Sequence, residues 1–242
     1  MLNSLARGSV SRVTDPIGRA LLRAGLGPDL VTVLGTVGVV VGSVTLLGTG
    51  HLFVGTLVVT AFVLFDLFDG AMARARGYGT RFGLVLDASC DRIADGALFG
   101  SLAYWAFVGD HNPPLGVACL LVLVAGQVVS YVKARADSVD LRIGGAIAER
   151  AERNVLGLVG SGLAGLHVPL AMQVCLWALA AACVVTVVQR LAQVRAAATA
   201  AGDGPPAAET AAVRRGGSRR PRPVQRAEGT RRRAAARRPS GR

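Results

Sequence analysis

The stretch Leu64–Gly96, LFDLFDGAMARARGYGTRFGLVLDASCDRIADG, lies between two long apolar segments and contains five aspartates. A carboxylate inside a lipid-facing helix is costly, and one that is kept there usually has a function. The aspartates are therefore the first candidates for a functional site, and the segments around them decide where that site lies.

The chain as a whole is too apolar for an ordinary soluble domain. Of its 242 residues, 52% are hydrophobic, and the mean hydropathy is +0.47. Apolar windows long enough to cross a bilayer occur near residues 30–48, 52–73, 83–107, 114–134, 154–170 and 171–190. The pattern predicts an all-α integral membrane protein with six transmembrane helices, which form one domain within residues 25–200.

The basic residues are distributed unevenly over the connections between these windows. Arg or Lys occurs before the first window, between the second and third, between the fourth and fifth, and after the sixth, whereas GTGH, GDHNPP and GLHVP contain neither. By the positive-inside rule, both termini and the acidic stretch are predicted to lie on the cytoplasmic side of the cell membrane. His51, His111 and His167 fall in the outer connections and are not expected to be catalytic.

The two ends of the chain differ in composition. Residues 1–24 combine leucines and arginines as an amphipathic helix at the membrane surface does, and Pro16 is predicted to break that helix; a disordered lead-in is the alternative. Residues 201–242, rich in Gly, Pro, Ala and Arg, are predicted to form a disordered cytoplasmic tail. Contact of this tail with anionic membrane lipid is favoured over specific nucleic-acid binding. The N-terminus has no signal-peptide pattern.

Four of the aspartates lie at the facing ends of two neighbouring windows. Asp66 and Asp69 stand three positions apart, and Asp87 and Asp91 stand four apart, so each pair is expected on one helix face. Four close carboxylates need positive charge among them to remain ionised. Oxygen donors without His or Cys favour Mg²⁺ or Mn²⁺ over zinc. The four cysteines show no paired spacing, so neither a disulfide framework nor a zinc site is predicted.

The spacing of the acids and their small neighbours resembles a known family. Asp66-x-x-Asp69-Gly70-x-x-Ala73-Arg74, eight residues, Gly83-x-x-x-Asp87-x-x-x-Asp91 matches without departure the signature of the CDP-alcohol phosphotransferases, membrane enzymes of phospholipid synthesis. The resemblance implies two Mg²⁺ ions per site, or Mn²⁺, ligated by Asp66, Asp69, Asp87 and Asp91. It implies that Asp91 is also the catalytic base, and that the CDP group contacts Asp66, Gly70, Arg74 and Thr80.

Two further segments resemble the actinobacterial phosphatidylinositol phosphate synthases within that family. They are GLGPDLVTVLG, residues 25–35, and GQVVSYVKARAD, residues 126–137. The resemblance implies transfer of the phosphatidyl group from CDP-diacylglycerol to inositol 1-phosphate, with release of CMP, by a homodimer. It also implies that the donor lipid contacts Asp29, Leu30, Val31 and Thr32.

An acceptor that carries a phosphate dianion needs fixed cations besides the metals. The candidates, which match acceptor-binding positions in the family, are Ser130, Lys133, Arg135, Arg153 and Arg190. The alternative for each basic residue is a marker of the cytoplasmic side. The chain departs from the family at Ala151, where ERAER replaces the frequent ERPER; the proline that would stiffen this loop is lost, and both arginines are kept.

The sequence is also compatible with another acceptor and with another class of function. Glycerol 3-phosphate is an alternative acceptor, which would give phosphatidylglycerol phosphate. A divalent-cation transporter is a less favoured alternative, because transport ligands are expected near the bilayer midplane. Asp95 lies outside the signature and is interpreted as a polar neighbour, with Arg92 as its partner. Gly38-x-x-x-Gly42 and Gly96-x-x-x-Gly100 are typical of close helix packing, within a subunit or across a dimer.

Overall fold

The chain is helical in the computed structural model, which describes residues 14–77 and 79–202 and contains no strand in that range. We number the helices α1 to α8 in chain order. They are α1 (14–23), α2 (Pro28–Gly42), α3 (Leu52–Phe65), α4 (Leu67–Arg76), α5 (Arg81–Tyr104), α6 (Pro113–Asp137), α7 (Arg150–Gly165) and α8 (Ala171–Ala200). Single π-helical segments, Ser43–Leu47 and Trp105–Gly109, extend α2 and α5.

Four segments are long and apolar enough to cross a membrane: Pro28–Leu47, Leu52–Arg76, Pro113–Asp137 and Ala171–Ala200. They correspond to the first, second, fourth and sixth predicted spans. The predicted third and fifth spans are helical too, as α5 and α7. Four charged residues between 87 and 95 lower the hydropathy of α5, and α7 has only 16 residues and begins with charged ones. The count of six spans therefore stays a prediction at α5 and α7.

Short-range sequence signals account for several helix ends. Pro28 and Pro113 stand at the first turns of α2 and α6, where a missing backbone N–H costs nothing. Gly77 ends α4 with a φ of +80°, a conformation that glycine adopts without strain. The Thr80 hydroxyl accepts a 2.8 Å hydrogen bond from the Gly83 N–H and so caps α5. These signals place α4 and α5 on either side of a short turn, with Asp69 in the first turn of α4 and Asp87 inside α5.

The core lies where α5 packs between α2 and α6, and where α8 packs against α6 and α7. Its fully buried apolar side chains include Leu98, Phe99, Leu102, Val122, Leu176 and Leu179 of α5, α6 and α8. Large apolar side chains also cover the outside of the molecule, where Val41, Val124 and Val188 are more than half exposed. An outer surface of this kind is stable only in an apolar environment, which agrees with helices that cross a membrane.

The two glycine motifs behave differently. Gly42 lies against Val58 and Val59 of α3, so that a Cβ at Gly42 would lie 3.2 and 3.3 Å from their methyl groups. Gly38 packs against the ring of Phe62, and the first motif therefore joins α2 to α3 within the subunit. Gly96 and Gly100 of α5 face open space, with nothing within 4 Å of the position of a Cβ. The second motif packs against no described part of the same subunit.

The described part of the predicted surface helix is α1. Its Gly18 lies against Ala71 and Met72 of α4, at 3.1 Å from the position of a Cβ. Pro16 stands in the first turn of α1, where proline is tolerated. Residues 1–13 of the predicted surface helix and residues 203–242 of the predicted tail lie outside the described residues, so both interpretations stay predictions.

The connections at the other end of the bundle meet around one cavity of about 600 Å³. Its lining comes from the α2–α3, α5–α6 and α7–α8 connections and includes His51, Trp105, Asp110 and His167. The connections that lack Arg and Lys thus lie together, while Asp66, Asp91 and Asp95 gather around Arg150 at the start of α7. The four cysteines are free.

Candidate active site

Three aspartates from two helices converge on one point. Asp66 lies at the break between α3 and α4, Asp69 in the first turn of α4 and Asp87 in α5. One carboxylate oxygen from each lies within 4.8 Å of the others. The sequence predicts Asp66 and Asp69 on one continuous helix, whereas the structure interrupts the helix at Asp66 and still brings the two carboxylates together.

The Asp69 carboxylate is held by a hydroxyl group and not by a positively charged side chain of the described residues. The Thr32 hydroxyl of α2 lies 2.5 Å from Asp69 Oδ2 and 3.1 Å from the carbonyl oxygen of Pro28. Within residues 14–77 and 79–202, no Arg or Lys forms an ion pair with Asp69 or Asp87. Two neighbouring carboxylates without a cation of their own leave the site short of positive charge.

Arg150, the first residue of α7, supplies positive charge on the other side of the cluster. Its Nη1 lies 2.6 Å from Asp91 Oδ1 and 3.3 Å from Asp66 Oδ2, and its Nε lies 3.5 Å from Asp95 Oδ1. In the sequence, Arg150 is one of several basic residues before the fifth window, and nothing local distinguishes it from the others. Arg150 ties Asp91 to Asp66 and so links α5 and α7 to the break before α4.

Asp95 forms a buried ion pair that the sequence analysis missed. Its Oδ2 lies 2.7 Å from Arg153 Nη2, and the two side chains are only 3% and 1% exposed. Arg153 also donates a 3.3 Å hydrogen bond to the carbonyl oxygen of Ala148. The expected partner, Arg92, is present but more distant, at 3.8 Å. Asp95 therefore orients Arg153 and cannot be described only as a neighbour of Arg92.

The carboxylate cluster fits a hard divalent cation. All the converging donors are carboxylate oxygens, and neither His nor Cys belongs to the group. Mg²⁺ and Mn²⁺ prefer such oxygen ligands, and Mg²⁺ usually shares them with substrate phosphates. The spacing of the three oxygen atoms makes Asp66, Asp69 and Asp87 the residues that could hold the metal.

A cavity of about 420 Å³ opens beside these aspartates. It lies between α2, α4 and α5, and its lining includes Asp29, Thr32, Asp69, Gly70, Thr80, Gly83 and Asp87. Gly83 makes room here, since a Cβ at this position would lie 3.0 Å from Thr80 Oγ1 and 3.1 Å from Asp29 Oδ1. The cavity is thus continuous with the side of the cluster that Arg150 leaves free.

The residues expected to contact the CDP-lipid do not all line this cavity. Asp29, Thr32, Gly70 and Thr80 do, and Asp66 belongs to the adjoining cluster. Three others lie elsewhere: Leu30 is exposed, Val31 is buried in the core, and Arg74 forms a 3.3 Å ion pair with Asp15 of α1. Two cations that the sequence analysis did not select, Arg76 and Arg81, line the cavity instead. Both arginines flank the turn between the two helices that carry the aspartates, and this position in the sequence could have identified them as candidates.

The residues expected to bind the acceptor divide into two groups. Lys133 and Arg135 are exposed near the end of α6, and Ser130, one turn earlier, donates a 3.1 Å hydrogen bond to the carbonyl oxygen of Gly126. Arg153 and Arg190 are buried, and Arg190 Nη2 lies 3.1 Å from Glu149 Oε1. The Nε and Nη1 atoms of Arg190 make no hydrogen bond within the described residues. Buried guanidinium groups with unused donors are suited to an anionic ligand.

Gly126 of α6 provides the space that Arg153 occupies. A Cβ at Gly126 would lie 2.8 Å from Arg153 Nε. We expect Gly126→Ala to lower the free energy of unfolding by about 1–2 kcal/mol, because overpacking costs more than the roughly 1 kcal/mol that alanine gains over glycine in a helix. Thermal unfolding in detergent measures the change.

Gly35→Ala is the matched control for Gly126→Ala. Gly35 also lies inside a buried helix, but the nearest atom to its Cβ position is 3.7 Å away, an ordinary contact distance. We expect Gly35→Ala to be neutral or stabilising. Equal changes in the two variants would contradict the close fit between Gly126 and Arg153.

Comparison with known proteins identifies relatives over most of the chain. The family model described as CDP-alcohol phosphatidyltransferase matches residues 26–188. The phosphatidylinositol phosphate synthase of Mycobacterium tuberculosis is 52% identical over 190 residues, which are 77% of this chain and 88% of the relative. The enzyme of the same name from Streptomyces avermitilis is 43% identical over 218 residues, 87% of this chain and 89% of the relative.

Solved structures of the Mycobacterium tuberculosis enzyme have the same fold. Its crystal structure with CDP-DAG bound superposes with a TM-score of 0.72 at 52% identity, and the match covers 76% of this chain and 94% of the other. The crystal structure in complex with manganese and citrate also gives a TM-score of 0.72 at 52% identity, over 75% of this chain and 88% of the other.

Proposed function

The chain belongs to the CDP-alcohol phosphatidyltransferase family, and on that premise we propose that it synthesises phosphatidylinositol phosphate. The phosphatidyl group passes from CDP-diacylglycerol to inositol 1-phosphate, and CMP is released. The observation that carries the proposal is the convergence of Asp66, Asp69 and Asp87 beside a cavity of about 420 Å³. The names of relatives at 43–52% identity support the choice of acceptor.

The donor occupies the cavity between α2, α4 and α5. The CDP group lies against Gly70, where the missing side chain admits the ligand, with Asp29, Thr32 and Thr80 around it. Arg76 and Arg81 at the cavity wall attract its phosphates. Leu30, Val31 and Arg74 remain proposed contacts; Arg74 must leave its exposed ion pair with Asp15 to reach the nucleotide, which costs little because such pairs are weak.

The chemistry needs a base and a good leaving group. Two divalent cations, Mg²⁺ or Mn²⁺, would neutralise the pyrophosphate and make CMP a better leaving group when bound. Asp66, Asp69 and Asp87 would hold them, and Asp91 would share one. Asp91 also takes the proton of the attacking acceptor hydroxyl. Its side chain is 19% exposed, which supports this role, because an acceptor must be able to approach the base.

The acceptor phosphate binds on the α6, α7 and α8 side of the cluster. Arg153 is fixed there by Asp95, and Arg190 has unused donors. The other contacts are the remaining predicted residues of α6, namely Ser130, Lys133 and Arg135. Fixed guanidinium groups bind a phosphate dianion through paired hydrogen bonds, which explains why arginine outnumbers lysine at this site.

The proposal includes the orientation of the enzyme in the membrane and its assembly into a dimer. Six helices cross the cell membrane, α1 lies at its inner surface, and both termini and the active site face the cytoplasm; the distribution of Arg and Lys supports this orientation. The enzyme is a homodimer. The open face of Gly96 and Gly100 on α5 supports an interface there, since small residues permit close helix approach in membranes.

Purified full-length chain with CDP-diacylglycerol and Mg²⁺ tests the activity. We expect CMP release with inositol 1-phosphate and at least about tenfold less with glycerol 3-phosphate, because an acceptor that leaves polar site groups unpaired is discriminated against. CMP release with glycerol 3-phosphate alone would overturn the choice of acceptor. Metal uptake into protein-loaded vesicles without CMP formation would instead favour a transporter.

A further inference from the structure

Arg150 contacts two of the carboxylates that the proposed reaction assigns to metal. Its Nη1 lies between Asp91 Oδ1, at 2.6 Å, and Asp66 Oδ2, at 3.3 Å. A guanidinium group and a divalent cation repel each other, and both cannot hold the same carboxylate oxygen at such distances. In the geometry seen here Arg150 occupies one oxygen of each carboxylate, so a cation that used Asp66 Oδ2 and Asp91 Oδ1 would require Arg150 to move.

We propose that Arg150 is a tethered counterion, which neutralises Asp66 and Asp91 in the metal-free enzyme, yields them to the metal, and then binds the acceptor phosphate. The inference rests on the proposed function, because it takes the metal and the anionic acceptor from there. It adds a coupling between the two, because Arg150, once displaced from Asp66 and Asp91, would be free to contact the acceptor phosphate. Arg150 is a positioning residue for the metal and a binding residue for the acceptor.

The surroundings of Arg150 permit this movement. Its side chain is 26% exposed, in contrast to the 1% exposed Arg153 one turn later on the same helix face. Its buried Nε makes no hydrogen bond within the described residues. That Nε lies 3.5 Å from Asp95 Oδ1, so Arg150 keeps a partner inside the site after it leaves Asp66 and Asp91. Arg150 and Arg153 then stand side by side around Asp95, facing the acceptor.

The distribution of positive charge around the four aspartates also supports a movement of Arg150. Asp69 and Asp87 have no paired cation among the described residues, while Asp66 and Asp91 share Arg150. A first metal can bind on the Asp69 and Asp87 side with little displacement. A metal that used Asp91 Oδ1 would have to displace Arg150, so we expect Arg150 to weaken metal binding when the acceptor is absent. Because linkage is reciprocal, metal and acceptor each raise the affinity for the other.

Titration of Mn²⁺ by electron paramagnetic resonance, with purified full-length chain and no substrate, tests the counterion. We expect Arg150→Met to bind Mn²⁺ about tenfold more tightly than wild type, because one close positive charge is removed. Arg150→Gln, which can still hydrogen-bond to Asp91, is expected to change in the same direction and replaces Arg150→Met if that variant does not fold. Equal or weaker Mn²⁺ binding in the folded variant would overturn the proposal.

Arg92→Met is the matched control. Arg92 lies 3.8 Å from both Asp91 and Asp95 but forms no ion pair with Asp66. We expect its removal to change Mn²⁺ affinity by less than about threefold, since it does not bridge two metal ligands. If Arg92→Met tightens Mn²⁺ binding as much as Arg150→Met, the effect is one of total charge and the specific role of Arg150 is refuted.

Calorimetric binding of inositol 1-phosphate, with and without saturating Mn²⁺, tests the coupling. We expect Mn²⁺ to raise the affinity of wild type about tenfold and that of Arg150→Met at most about twofold. The same increase in both proteins would overturn the transfer of Arg150 to the acceptor. If wild type with Mn²⁺ binds no inositol 1-phosphate, the proposed acceptor and this transfer both fall, whereas the Mn²⁺ titration still decides the counterion role.

Discussion

Asp91→Asn is expected to lower the rate of CMP release about a thousandfold, while binding of CDP-diacylglycerol and metal is largely kept. Asparagine preserves the shape of the side chain but cannot accept the proton of the acceptor hydroxyl, and general bases contribute about 10²–10⁴-fold to rates. Asp91 stands at the side of the cluster that faces Arg150 and α7, away from the donor cavity. Its loss should therefore affect turnover more than donor binding.

Steady-state CMP release and a separate CDP-diacylglycerol binding titration measure the two effects of Asp91→Asn. Asp137→Asn is a suitable control, because Asp137 is an exposed aspartate at the end of α6 outside the cluster. It is expected to retain wild-type rates. Turnover of Asp91→Asn near the wild-type rate would refute the assignment of Asp91 as the base.

Asp95→Leu is expected to lower the free energy of unfolding by about 3–5 kcal/mol. Its partner Arg153 is 1% exposed, so removal of Asp95 leaves a buried guanidinium group without its closest carboxylate, and an uncompensated buried charge has a cost of this size. Unfolding in detergent, followed by the fluorescence of Trp105 and Trp177, measures the change. The exposed pair of Asp15 and Arg74 provides the comparison, and Asp15→Asn is expected to change stability by less than about 1 kcal/mol.

The double variant Asp95→Leu/Arg153→Met separates stability from function. It removes both charges and leaves two apolar side chains of similar volume, so most of the lost stability should return. CMP release should not return, because Arg153 is proposed to bind the acceptor phosphate. Wild-type stability of Asp95→Leu would contradict the buried pair, and an active double variant would contradict the role of Arg153.

The acidic cluster could be predicted from the sequence because its four aspartates lie close together along the chain. Asp66 and Asp69 end one segment, Asp87 and Asp91 begin the next, and a glycine turn joins the segments. Two antiparallel helices must then present these ends to each other. The break of the helix at Asp66 was not expected, since the apolar pattern continues through Leu67 and Phe68 without a proline or glycine.

Arg150 and the pair of Asp95 and Arg153 were not predicted because they depend on long-range contacts. The segment 138–149 returns the chain from α6 to the acids, and Ala148 N–H donates a 3.1 Å hydrogen bond to Thr186 of α8. No local pattern in that segment specifies this course. From the sequence, Arg150 is one basic residue among several on the same side, and position alone cannot distinguish a counterion from a topological marker.

In α5 and α7, the charged residues of the site make the helix harder to recognise as a membrane span. The same aspartates that make α5 a candidate for metal binding lower its hydropathy, and the charged start of α7 shortens its apolar part. Hydropathy identifies Pro28–Leu47, Pro113–Asp137 and Ala171–Ala200 without difficulty, because their charged site residues, such as Asp29, Lys133 and Arg190, lie towards the helix ends, outside the apolar run. Charged residues inside the apolar run therefore make α5 and α7 harder to identify as spans by composition.

Anomalous diffraction at the manganese edge, from crystals of the full-length chain grown with Mn²⁺ and CDP, tests the metal site most directly. The expected result is a peak about 2.0–2.2 Å from carboxylate oxygens of Asp66, Asp69 and Asp87, beside the cavity that holds the nucleotide phosphates. A nucleotide bound in that cavity with manganese elsewhere, or with no manganese peak at these three residues, would contradict metal-assisted transfer at this site.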